Sequence, residues 1–110
     1  MKQPKPYLLN IFNSINAIES YMPGDIESFS NDPLRQDAIL MRLQDIGENL
    51  IHLRDSFPEF WENHANNDWN QAIGLRNIIS HGYAKVNLEI VWVLISDDFP
   101  QFKQSIDKLV

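Results

Sequence analysis

The sequence predicts an all-α fold, an up-and-down bundle of four main helices, and three observations lead there. Apolar residues recur at steps of three and four along most of the chain, the spacing of a helix with one buried stripe. Prolines, glycines and capping residues cut these stripes into four segments. No segment alternates apolar and polar residues for the length of a useful strand.

The first stripe is Leu8, Ile11, Phe12, Ile15, Ile18 and Met22. Pro23-Gly24 ends it, since neither residue continues a helix readily. Asp32-Pro33 then reads as an N-cap followed by proline in the first turn. Behind it Ile39, Leu43, Ile46, Leu50, Leu53 and Phe57 form a heptad-like seam. This segment should be the longest uninterrupted helix, ending near Pro58. Gly47 inside it costs about 1 kcal/mol relative to alanine, which suggests a close approach by another backbone. Residues 58–67 read as a short turn or helical turn followed by a loop.

Asp68 and Gln71 have the spacing of a capping box for the third helix. That helix carries Trp69, Ala72, Ile73 and Ile79, with Leu75 and Ile78 on its other side, and Gly82 is placed to stop it. Asn87 can cap a fourth helix, with Glu89 favourable in its first turn. Its stripe is Leu88, Trp92, Ile95, Phe99, Phe102, Ile106 and Leu109. Pro100 removes a helical hydrogen bond, so this helix should kink or split there, with Asp97-Asp98 capping the restart.

The 110 residues fit a single domain spanning 1–110, and 44% hydrophobic residues suffice for one core. No internal repeat or low-complexity segment interrupts it. No stretch approaches the roughly 18 apolar residues of a membrane span, and no signal-peptide pattern opens the chain. The absence of cysteine excludes a disulfide scaffold and suits a cytoplasmic location. A net charge of −6 argues against a protein that coats RNA or DNA in bulk. A small catalytic cleft with local positive charge stays open.

The segment Gly74-Leu75-Arg76-Asn77-Ile78-Ile79-Ser80-His81-Gly82-Tyr83 carries the chemistry. Arginine offers a permanent charged fork suited to phosphate oxygens. Histidine can exchange a proton near neutral pH. Metal-free RNA cleavage needs both: a base for the 2′-hydroxyl proton and a cation for the charge building on phosphorus. On an ideal helix Arg76 and His81 project about 140° apart. Asn77 shares a face with His81, while Arg76, Ser80 and Tyr83 share another. Either the helix unwinds near Gly82, or a second copy of the chain supplies the missing half of the site.

The stretch from Trp69 to Phe102, including GLRNIISHGY and NLEIVW, resembles the C-terminal half of HepT-like HEPN-domain proteins. Arg76, His81 and Tyr83 match that family's Arg-x4-His-x-Tyr signature, and Asn77 matches the polar residue after the arginine. Ile46-Gly47-Glu48 also resembles the family. Ile79 and Ala84 depart from the charged or larger residues that many relatives carry there, which bears on substrate choice.

The resemblance implies a HEPN helical bundle that forms a homodimer with both motifs at its interface. It implies the toxin of a toxin–antitoxin pair, a metal-independent endoribonuclease acting on RNA without a cofactor. Arg76, His81 and Asn77 would be catalytic. The implied partner is an antitoxin with a minimal nucleotidyltransferase fold, which transfers AMP to Tyr83. A bulky anion there would occupy the phosphate site and repel RNA.

Without the resemblance, Arg76 and His81 would read as ordinary residues near a helix end. Glu48 could orient Arg76 or His81 across the bundle, with Ser80 beside them, or could be a solvated helix residue. His64 with Glu62 and Asp68 lies in a loosely spaced polar run, better read as a solvated loop than a metal site. His52 reads as a partly exposed surface residue, and the three tryptophans as core or dimer contacts. The acidic balance and the divergent directions of Arg76 and His81 also fit a second reading: a non-catalytic helical subunit that presents substrate to a nucleotidyltransferase or is modified by it.

Overall fold

The structure, a computed structural model, describes residues 3–110 without the side chain of Tyr83. The first helix, α1, runs from Lys5 to Tyr21, entered through Pro4 and Pro6 in its first turn. It buries Leu8, Ile11, Ile15 and Ile18, the expected stripe, together with Ser14. A short α2, Ile26–Ser30, follows and drops Phe29 into the core. Asp25 caps it by accepting from the Ser28 backbone N–H at 2.7 Å. That bond holds the Asp25 carboxyl below its usual carboxylate value.

The long helix α3 spans Pro33–Ser56, and Asp32 caps it as expected, accepting from the Arg35 N–H. Ile39, Leu43, Ile46, Leu50 and Leu53 are buried along it. α3 is the centre of the bundle, packing against α1 on one side and against the motif helix on another. Between α1 and α3 runs a strip of polar contacts. Ser14 Oγ donates to Asp45 Oδ2 at 2.8 Å, and Asn49 Nδ2 donates to the Asp45 carbonyl at 2.8 Å. Asn10 Nδ2 in turn donates to Asn49 Oδ1 at 3.3 Å. Buried Ser14 and Asn49 are therefore satisfied, and the bonds are directional where apolar packing is not.

The segment after Ser56 corrects the sequence reading. Pro58–His64 is a helix of seven residues, α4, rather than a brief turn and loop. Pro58 starts it and the Phe60 and Trp61 rings pack on the core from it, which stabilises a segment whose polar run suggested a loop. His64 sits on this helix with its ring 4.6 Å from that of Phe60. Among the described residues no cluster of His, Asp and Glu suited to a metal ion occurs there or elsewhere. His52 is exposed on α3, stacked on Tyr7 at 5.5 Å.

The motif helix α5 spans Asn67–His81. Its cap is Asn66, whose side-chain oxygen accepts from the backbone N–H groups of Asp68 and Trp69. Asp68 therefore lies in the first turn, where its charge favours the helix dipole, and is not the cap. Asn66→Ala should cost about 1 kcal/mol, read as a lower urea midpoint at unchanged slope. An unchanged midpoint would return the cap to Asp68. Trp69 is fully buried, and its indole N–H donates to Ser105 Oγ at 3.0 Å, joining α5 to the last helix. Trp61 meets Trp69 edge-on at 5.5 Å, and Trp92 lies 5.7 Å from Phe29. Both thus serve the core.

Gly82, at φ +142°, ends α5 in a conformation that disfavours side chains. A 3₁₀ turn, Tyr83–Lys85, leads to α6, Leu88–Val93, capped by Asn87 as expected. The helix then widens into a π-turn, Leu94–Asp98, and continues as α7, Phe99–Asp107. The break expected near Pro100 takes this form. The Phe99 N–H reaches back five residues to the Leu94 carbonyl, so Pro100 falls in the first turn of α7, where its missing N–H costs little. Asp98 makes no capping bond, so the Asp97-Asp98 pair does not cap a restart. Val91, Ile95, Phe99, Phe102 and Ile106 are buried from this composite helix, and α7 closes the bundle against α1. Among the described residues no helix is long and apolar enough to cross a membrane.

Candidate functional site

The site begins where α5 lies against α3. Ile79 on one face of α5 is buried in the core, which turns Arg76 toward the flank of α3 and leaves Asn77, Ser80 and His81 exposed. The Arg76 stem crosses α3 at Gly47. A β-carbon added to Gly47 would lie 2.2 Å from Arg76 Cβ and 2.6 Å from its Cγ, with the Ala72 carbonyl oxygen at 3.3 Å. The close approach inferred from Gly47 is thus chiefly that of an arginine side chain, with backbone second.

The guanidinium is held at its outer nitrogens. Nη1 donates to Asn77 Oδ1 at 3.2 Å, and Nη2 stands 3.7 Å from Glu48 Oε1. The second contact is an ion pair longer than a hydrogen bond, so Glu48 orients the fork without saturating it. Nε is buried and has no hydrogen-bond partner among the described residues. The Arg76 side chain remains 29% exposed, enough for its outer N–H groups to meet an incoming anion. One turn further on, Gln44 of α3 donates from Nε2 to Ser80 Oγ at 3.4 Å. Sequence reasoning missed Gln44, which is one of many polar residues on α3, and its pairing is visible only when the two helices are docked.

The structure therefore joins Arg76, Asn77, Glu48 and, further along the seam, Ser80. His81 stands apart. α5 is unbroken up to His81, and Gly82 turns the chain only afterwards. The helix does not unwind between Arg76 and His81, so their divergence of about 140° stands. Tyr83 opens the following 3₁₀ turn, and its side chain lies outside the described residues.

Gly74 and His81, seven residues apart, share a face of α5. That face borders a groove of about 600 Å³ between α5 and the α6 segment, lined by Leu75, Ile78, Ile90, Val93 and Leu94. Ile78, Ile90 and Val93 are 48%, 61% and 51% exposed, an apolar surface larger than scattered single residues would give.

Residues 11–109 match the family described as ribonuclease HepT-like. A protein of Caldanaerobacter subterraneus subsp. tengcongensis, provisionally named as an RNase, is 30% identical over the whole chain, which spans 96% of that protein. A Methanocaldococcus jannaschii protein named as a gamma-glutamylcyclotransferase and, provisionally, an RNase is 33% identical over 99% of the chain. The chain spans only 48% of that longer relative. The mRNA nuclease HepT of Shewanella oneidensis is 29% identical over 76% of this chain and 79% of its own length. No solved structure gives a significant match. With the match covering nearly the whole bundle and including α5, the chain belongs to the HepT-like ribonuclease family.

Proposed function

We propose that the chain is a metal-independent endoribonuclease, the cytoplasmic toxin of a toxin–antitoxin pair, active as a homodimer with the motif at its interface. The observation that carries this reading is Arg76. Its charged fork is ordered on the α3–α5 seam, held by Asn77 and Glu48 yet partly open to an anion, on the same helix as an exposed histidine. Membership of the HepT-like ribonuclease family supports reading that pairing as chemistry on RNA.

In the proposed reaction His81 takes the proton of a ribose 2′-hydroxyl. The 2′-oxygen attacks the adjacent phosphorus, and the bond to the 5′-oxygen breaks as that oxygen takes up a proton. Arg76 stabilises the charge on the non-bridging oxygens, and Asn77 keeps the guanidinium turned toward them. Two features support the dimer. Arg76 and His81 leave one unbroken helix on different sides, and the exposed apolar groove lies on the His81 side. Apposing two such faces would bring the two α5 ends together.

A partner nucleotidyltransferase would silence the enzyme at Tyr83. The phenol oxygen attacks the α-phosphorus of ATP, pyrophosphate leaves, and the attached AMP sets a negative charge beside the phosphate site.

Purified protein should cleave single-stranded RNA in the presence of a chelator. Intact RNA, with the nucleotidyltransferase still bound, would favour a non-catalytic subunit instead. Co-expression with the partner and ATP should add the mass of AMP, and Tyr83→Phe should abolish the gain. A gain retained in Tyr83→Phe would place the modification elsewhere.

A further inference from the structure

We infer that Gly47 is a positioning residue for Arg76, and that the missing side chain at this point of α3 sets where the guanidinium lies. The inference builds on the proposed ribonuclease reading. It starts from a cost: glycine in the middle of a 24-residue helix weakens that helix, and here its own φ gives it no conformational reason to be glycine. Among the described residues nothing lies within 4 Å of a β-carbon added to Gly74 or Gly24, whereas Gly47 meets the first two side-chain carbons of Arg76. Those atoms belong to the root of the arginine and cannot swing aside as its tip could. Any side chain at position 47 must therefore push the α5 backbone outward at Arg76, by about 1.3–1.8 Å to reach ordinary van der Waals separation.

Three features of the guanidinium depend on this close seating. Nε is buried against the seam, Nη2 comes within 3.7 Å of Glu48, and the fork stays turned to Asn77 rather than extending into solvent. Glu48 follows Gly47 directly, so one turn of α3 supplies both the space for the stem and the charge that faces the tip. A shift of α5 loosens both together.

The test is Gly47→Ala, read in two ways. The first needs no activity: the Arg76 Nε–H, observed by NMR, should be protected from exchange with water in the native protein and lose protection in Gly47→Ala. The second is RNA cleavage, which should fall about a hundredfold or more, as expected for a misplacement of at least about 1 Å. Combining Gly47→Ala with Arg76→Gly, which removes both arginine carbons that the new methyl meets, should be no worse than Arg76→Gly alone. Ile18→Val, a core change remote from Arg76, should leave both readings at native values. If Gly47→Ala does not fold, Gly47→Ala with Arg76→Gly removes the two nearest atoms that the new methyl meets, leaving only the Ala72 carbonyl oxygen at 3.3 Å, and should restore folding.

Unchanged Nε–H protection in a folded Gly47→Ala protein would overturn the inference. So would additive losses in the combined variant, or failure of the glycine exchange to restore folding. Native protein that leaves RNA intact while the Nε–H responds as described would sink the ribonuclease reading and keep the positioning role.

Discussion

Arg76→Ala is expected to lower RNA cleavage by about 10²–10³-fold, the usual cost of removing one donor aimed at developing charge. The protein should stay folded. The guanidinium is partly exposed, its Glu48 contact is long, and its buried Nε–H has no partner to lose among the described residues. Arg76→Lys should rescue little of the activity. Lysine keeps the charge but presents a point rather than a fork, and so cannot face Asn77, Glu48 and a phosphate together. Cleavage assays on variants with native circular dichroism would check this. Near-native turnover in Arg76→Ala would remove Arg76 from the chemistry and leave it a helix-packing residue over Gly47.

His81→Ala is expected to cost about 10²–10⁴-fold in turnover, the range for loss of a general base or acid. Its structural effect should be small. The ring is exposed in the last turn of α5, where a histidine contributes at most about 1 kcal/mol through the helix dipole. His81→Gln tests the same point while keeping a polar group of similar reach. Both variants should still bind RNA, because Arg76 is untouched. Loss of binding together with turnover would mean that His81 acts as a contact rather than a proton carrier.

Much of the fold was legible because it follows from periodicity and punctuation. The stripes of α1 and α3, the Asp32-Pro33 start, the Asn87 cap and the Gly82 stop depend on residues close in sequence, and each occurs as expected. The misreadings occur where local signals compete. Asn66 and Asp68 can both cap a helix, and only the backbone shows that Asn66 reaches the free N–H groups. The polar run before Asn66 looks like a loop, yet Phe60 and Trp61 pull α4 onto the core. Pro100 signalled a break, but the means, a π-turn five residues wide, depends on how the preceding helix packs.

At the site, the composition of the motif was readable and its geometry was not. Spacing alone gave the divergence of Arg76 and His81, and the unbroken α5 bears that out. Gly47 stood out as a glycine in a long helix. Its relation to Arg76, 29 residues away, exists only once α3 and α5 are docked. Glu48 was one of several reasonable helix glutamates until its contact with Arg76 singled it out.

The proposed reaction needs a composite site, with arginine from one subunit and histidine from the other. Mixing inactive Arg76→Ala and His81→Ala proteins under conditions of subunit exchange tests this directly. Mixed dimers should regain one intact site, and the mixture should recover about a quarter of native activity. A mixture that exchanges subunits, as shown by native mass spectrometry, yet stays as inactive as its two components would contradict it.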